Sequence, residues 1–220
     1  TYRWFLVLNG IVGPLLLGGA VATFFDGSNF FVEKASLTDI GAPVISRWAN
    51  ASAGLDALLD PCNLVFGLAV MFLARMLGAL YIINNVEDED IRSRASVRLV
   101  GSTVPFLVFF LAFFVRLLLK DGYAVDAQGV VFMEPLKYLH NFLAMPLLAV
   151  LTLVGVVLLL YGVGRTIFSN SYVKGIWPAG IGVVMVVLSL LLIAGLGGTA
   201  YYPSNADLQS SLTIANSCSS

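Results

Sequence analysis

Five stretches of this chain are apolar for the length of a membrane crossing, and that decides most of what it can become. They run roughly from Trp4 to Phe25, Asn63 to Asn84, Leu99 to Leu119, Tyr138 to Val163 and Ile176 to Gly198. About 20 apolar residues cover the hydrocarbon core of a bilayer. Backbone N–H and C=O groups in lipid have no water to bond, so each stretch is read as a helix rather than a strand. The expected fold is an all-α integral membrane bundle of about five transmembrane helices, one domain over residues 1–220. Composition agrees: 59% of residues are hydrophobic and 11% charged, where a soluble domain carries about a quarter charged.

The charges that remain are informative. Net charge is -1, which gives no electrostatic case for nucleic acid. Arg3, Arg92, Arg94, Arg98, Arg165 and Lys174 fall on one side of the expected bundle. Lys34, Arg47, Lys120 and Lys137 fall on the other, spread over longer loops. By the positive-inside rule the first side is expected in the cytoplasm and the polar C-terminal stretch in the periplasm. The chain opens at Thr1 in an already apolar run, without the charged start of a signal peptide, and is expected to be an internal piece of a longer protein. Cys62 and Cys218 are distant and lack CxxC spacing; two inert thiols are expected rather than a disulfide.

The connection from Asp26 to Cys62 is too long for a turn. Leu55 to Leu59 suits a short interfacial helix before Asp60-Pro61, with Trp48 at headgroup level. Asp121 to Gly129 reads as a small hairpin. Pro14 and Pro105 are candidate kinks. Asn9, Gly10 and Gly13, with Ala74 and Gly78, are the small residues expected to let helices approach closely. Phe106, Phe109, Phe110, Phe113 and Phe114 form a row expected to face lipid or another subunit, or to pack; lining an apolar site for a quinone tail is the alternative.

Three residues stand out as functional candidates. Arg75 is the only charge in the middle of a span; such a charge costs a few kcal/mol, so it either serves a function or pairs structurally with a neighbouring helix or subunit. Asp60 sits at a membrane boundary, where proton transfer and a helix-start role with Pro61 are the two readings. His140 is the only histidine. Haem ligation needs His or Met side chains aimed at iron, often two, so one His at a helix start does not support a multi-haem site. Arg116, near a helix end, is expected to snorkel. Zinc spacings, phosphate loops and hydrolytic triads are absent from the sequence. No catalytic or metal-ligating residue is assigned.

Three stretches resemble one family. The C-terminal wording Pro203-Ser204 … Ser211-Leu212-Thr213-Ile214 … Asn216 … Ser219-Ser220 is similar to that near the end of subunit II of the cytochrome bd ubiquinol oxidases. Leu58-Leu59-Asp60-Pro61, followed by Gly78-Ala79-Leu80-Tyr81, resembles the family's Leu-Asn-Pro-Phe start and Gly-Ala-x-Tyr-like exit of one helix. The stretch Gly10 to Phe25 resembles the Bacteroidetes branch. The resemblance covers essentially the whole chain as the second half of that subunit, and its departures are Asp60 for Asn, Cys62 for Phe and Arg75 for an apolar residue. It implies a bacterial inner-membrane terminal oxidase that oxidises quinol, reduces oxygen to water and generates a proton gradient. It further implies that haems and the quinol-oxidising loop belong to partner subunit I. No cofactor is expected directly on this chain, save a structural quinone held by some members. The family's first half and its last helix are missing from this sequence. The alternative is a small permease or transporter domain, favoured by interrupted helices and midplane polar groups, though no inverted repeat is seen.

Overall fold

The computed structural model describes residues 2–33, 46–168 and 174–214. Lys34 and Cys218, used above for orientation and thiol chemistry, lie outside the described residues. Helix α1 spans Tyr2–Asp26, α2 Pro61–Asn85, α3 Glu89–Leu119, α4 Lys137–Ala144, α5 Pro146–Phe168 and α6 Ile176–Gly195. Five of these, all but α4, are long and apolar enough to cross a membrane. The chain is therefore an all-α, multi-pass membrane protein. Many large apolar side chains, such as Leu147, Leu153, Val157, Val184 and Ile181, lie on the outside of the bundle, the reverse of a soluble fold and the surface lipid requires.

The helices alternate in direction, so the bundle has two ends. One end carries the tight α2–α3 connection, Val86–Asp88, and is called the hairpin face. The other carries every strand. Strand β1 (Phe30–Val32) pairs antiparallel with β2 (Ser46–Trp48), and β3 (Gly122–Val125) with β4 (Val131–Glu134). The C-terminal stretch is woven between these two ribbons: Ser28 bridges Ser204, Ala124 bridges Thr199, and Tyr202 bridges Leu212. Ser204 and Ser211 are wholly buried there. Ser204 Oγ donates to Phe30 O at 2.5 Å, and Ser211 Oγ accepts the Ser204 N–H at 2.9 Å. These short hydroxyls satisfy backbone groups that side chains of an apolar layer would leave orphaned. The result is a cap closing this end.

Most predicted boundaries hold within two or three residues. Two do not. Helix α3 begins at Glu89 instead of Leu99, with Asp88 Oδ1 accepting the Ile91 N–H at 3.0 Å as its N-cap. At 31 residues α3 is about 46 Å long, well beyond the roughly 30 Å apolar core, so its polar first turns project past the membrane. The expected helix from Tyr138 to Val163 is two helices, broken at Met145 ahead of Pro146, because proline disfavours a helical residue before it. Pro14 and Pro105 lie inside uninterrupted helices. The interfacial helix is a short 3-10 turn over Leu55–Leu59, and the predicted hairpin is β3–β4.

Packing bears on two further expectations. The phenylalanine row does not face out as a whole: Phe106, Phe110 and Phe113 are buried, and Phe113 meets Phe66 at 4.3 Å and Phe25 at 5.9 Å between ring centroids. Nor do Gly10 and Gly78 make close helix crossings; a Cβ on either would meet nothing within 4 Å. The α1–α2 crossing is at Gly18 and Gly67 instead. A Cβ on Gly18 would sit 2.7 Å from the Gly67 Cα, and one on Gly67 2.7 Å from Leu15 O. Helices α5 and α6 close on Gly155, Gly162 and Gly182 in the same way, with Thr152 Oγ1 and Ser189 Oγ bonded at 2.7 Å in the seam.

Candidate functional site

The three singled-out residues do not come together. Asp60 is exposed and caps α2, its Oδ1 accepting the Cys62 N–H at 2.8 Å with Pro61 in the first turn. Arg75 lies fifteen residues on, about 22 Å along the same helix. His140 stands at the cap face on α4, exposed, with Nδ1 3.2 Å from Glu134 Oε1. Glu134 is shared with Lys137 Nζ at 2.8 Å, and the hydrogen bond from Lys137 holds its carboxyl below the usual range, His140 adding to this. These contacts explain His140 and Glu134 as a local surface network.

Sequence reasoning missed Asp26, a carboxylate paired with both a lysine and an arginine. Its side chain is only 9% exposed at the end of α1 and takes Lys120 Nζ at 2.5 Å and Arg116 Nη1 at 3.4 Å. Lys120 Nζ also donates to Phe25 O at 2.8 Å. Arg116 thus reaches toward the boundary as expected, and it finds a carboxylate there. The signal was available: an acid ends one apolar run, and two cations end another that terminates on the same face. Tyr123 Oη joins this group through Asp26 O at 3.2 Å and through Asn205 Oδ1. Burial raises its phenol to about 12, the nearby Asp26 charge adding to the effect, so it donates at any physiological pH. A carboxylate oxygen from each of Asp26 and Asp60 and the Cys62 Sγ lie within 4.8 Å of one another. Two cations already balance Asp26, so this is an ion-paired seam between helix ends and the cap.

Two cavities bear on cofactors. An apolar one of about 60 Å³ lies among α2, α3, α5 and α6, lined by residues such as Phe66, Phe106, Phe110 and Val186. That is the liquid volume of about two waters, without a polar group to hold one. The second is an open groove of about 600 Å³ between the hairpin ends of α2 and α6. Tyr81, Asn84, Asn85 and Trp177 line its polar end, and Ile181, Val184 and Met185 its apolar floor. Asn84 Oδ1 accepts the Lys174 N–H at 3.0 Å, which leaves the amide NH₂ to donate. His140 lies outside the spans and is engaged by Glu134, while the buried Met76 Sδ accepts a hydrogen bond from Thr103 Oγ1 at 3.4 Å.

Five helices long and apolar enough to cross a membrane, closed at one end by a cap of two short ribbons, define a polytopic membrane protein. The family model for cytochrome bd terminal oxidase subunit II matches residues 1–220. The chain belongs to that family. No curated protein matches it closely enough to add a narrower likeness. It is accordingly a component of a respiratory oxidoreductase complex. The permease reading rests on Asn9, Pro14 and Arg75, and Pro14 lies inside an uninterrupted helix, so it supplies no broken span.

Proposed function

We propose that this chain is the non-haem-ligating subunit of a bd-type quinol oxidase. Quinol oxidation and reduction of oxygen to water take place on a haem-bearing subunit I packed against it, in a bacterial inner membrane. The observation that carries the reading is the position of the sole histidine: His140 is exposed at the cap, paired to Glu134 and directed away from the bundle's interior chemistry. Electrons therefore run on the partner, and this chain supplies a rigid wall beside it. The hairpin face, with Arg92, Arg94, Arg98, Arg165 and Lys174, is cytoplasmic, and the cap periplasmic.

A structural quinone on this chain belongs in the Tyr81–Trp177 groove rather than in the small internal cavity. The groove has room for a ring, the Asn84 amide and Tyr81 hydroxyl can donate to quinone carbonyls, and the Trp177 face can stack on the ring. The apolar floor suits the isoprenoid tail.

The test is a reduced-minus-oxidised visible spectrum of the chain purified alone and of the complex that co-purifies with the full-length protein. Haem bands in the complex alone, with oxygen uptake on quinol, are the expected result. Haem in the isolated chain would overturn the assignment. Quinone extracted from the complex should fall at least severalfold in a Trp177→Ala variant.

A further inference from the structure

A second groove, of about 340 Å³, opens between α1, α2 and α3 in the half of the bundle nearer the hairpin face. Its lining includes Leu6, Gly10, Gly78 and Ser102, and two arginines, Arg75 and Arg98. Both arginines stand at the same depth. Arg75 lies ten residues before the end of α2, and Arg98 nine residues after the start of α3. At 1.5 Å per residue these are about 15 and 14 Å from the hairpin. Among the described residues no acidic side chain lines this groove, and neither arginine is within ion-pair distance of a carboxylate.

An arginine set into a span just inside the headgroup level, without a counter-charge, is costly to leave unpaired. Here two share one groove, whose walls are held open because Gly10 and Gly78 present no side chain to fill it. The polar start of α3, Glu89 to Arg98, sets the headgroup level close to Arg98. We propose that this groove binds the phosphate of an anionic phospholipid from the hairpin-side leaflet. The guanidinium forks of Arg75 and Arg98 grip the headgroup oxygens, and the acyl chains lie along the exposed apolar face of α1 near Leu6. A phosphate matches two planar forks better than a single carboxylate does, and a lipid reaches the groove sideways from its own headgroup depth.

The experiment uses the full-length protein in the assembly it forms, reconstituted in phosphatidylcholine nanodiscs. Phosphatidylglycerol with a photoactivatable group near its headgroup is added, and the labelled peptides are mapped. Labelling is expected on the segments around Leu6–Gly10 and Gly78–Ile82, about tenfold above the matching phosphatidylcholine probe. Excess inorganic phosphate should leave it unchanged. It should fall toward the phosphatidylcholine level in Arg75→Gln/Arg98→Gln, and only part of the way in Arg75→Lys/Arg98→Lys, which keeps the charge but loses the planar forks. Equal labelling by the two lipids in the unaltered protein would overturn the proposal without any variant needing to fold. So would displacement by inorganic phosphate, which marks a free-anion site, or a photo-crosslinker at position 75 that captures protein instead of lipid.

Discussion

Gly182 is among the tightest points of the α5–α6 seam, and the glycine two residues earlier is an internal control. A Cβ at Gly182 would lie 2.4 Å from Gly155 O and 2.6 Å from Leu159 N, both backbone atoms that no rotamer change can move. At Gly180 an added Cβ meets nothing within 4 Å. Restoring an ordinary contact of about 3.4 Å at Gly182 requires the helices to part by roughly 1 Å. Overpacking of this kind costs about 1–3 kcal/mol. The Thr152–Ser189 hydrogen bond in the same seam, 2.7 Å long, would stretch out of range and add about 0.6 kcal/mol, the average for such bonds in membrane helices. Gly180→Ala, by contrast, gains roughly 0.5–1 kcal/mol from backbone entropy. The two substitutions should therefore differ by about 3 kcal/mol in unfolding free energy, with opposite signs. Reversible denaturation in mixed micelles, followed by the fluorescence of Trp177 on α6, measures it. Equal stability of the two variants would refute the close-packed seam.

Three other outcomes are expected. His140→Ala should leave the haem spectrum and quinol turnover of the assembled oxidase unchanged; loss of a haem band would mean this histidine reaches iron. Asp26→Asn should destabilise the cap by about 1–3 kcal/mol, since it leaves Lys120 largely buried without its counter-charge, and protease cutting within residues 50–60 should report it. Asp56 is bonded by Asn29, Ser52 and Asn50, which lower its pKa from 3.8 to about 2. A depressed folded-state pKa contributes stability above the unfolded value, so the protection of amides in residues 50–59, relative to intrinsic exchange at the same pH, should fall as pH drops from about 4 toward 2, and Asp56→Asn should abolish that dependence.

Residue by residue, the sequence speaks clearly wherever lipid dictates the answer and weakly elsewhere. The five spans are legible because hydrocarbon forbids polar interruptions. The first turns of α3, Asp90-Ile91-Arg92-Ser93-Arg94, are invisible to the same reasoning since they lie in water and continue the helix through capping and propensity alone. The break at Met145 hides inside an unbroken apolar run and needed Pro146 to be read as a start rather than a kink. Which face of α3 turns inward is not encoded by hydropathy, because lipid and core are equally apolar; hence the phenylalanine row alone does not say which of its rings face lipid and which the core. The same degeneracy misassigned the close crossing to Gly10 and Gly78 and overlooked Gly18 and Gly67. Of the site candidates, Asp60 and His140 resolve into capping and surface pairing, and Asp26, with two cations converging on it, escaped notice because its partners lie about ninety residues away.

The bridge between Ser28 and Ser204 joins residues on opposite sides of every span but the first. Such a contact cannot exist while the ribosome is still making α2 through α6. The cap-face strands must wait, unpaired with their final neighbours, until α6 has been inserted and the segment after it delivered. Cap closure is thus a completion signal: resistance of the strands Phe30–Val32 and Ser46–Trp48 to protease should rise in one late step, when the segment around Ser204 arrives, instead of growing helix by helix.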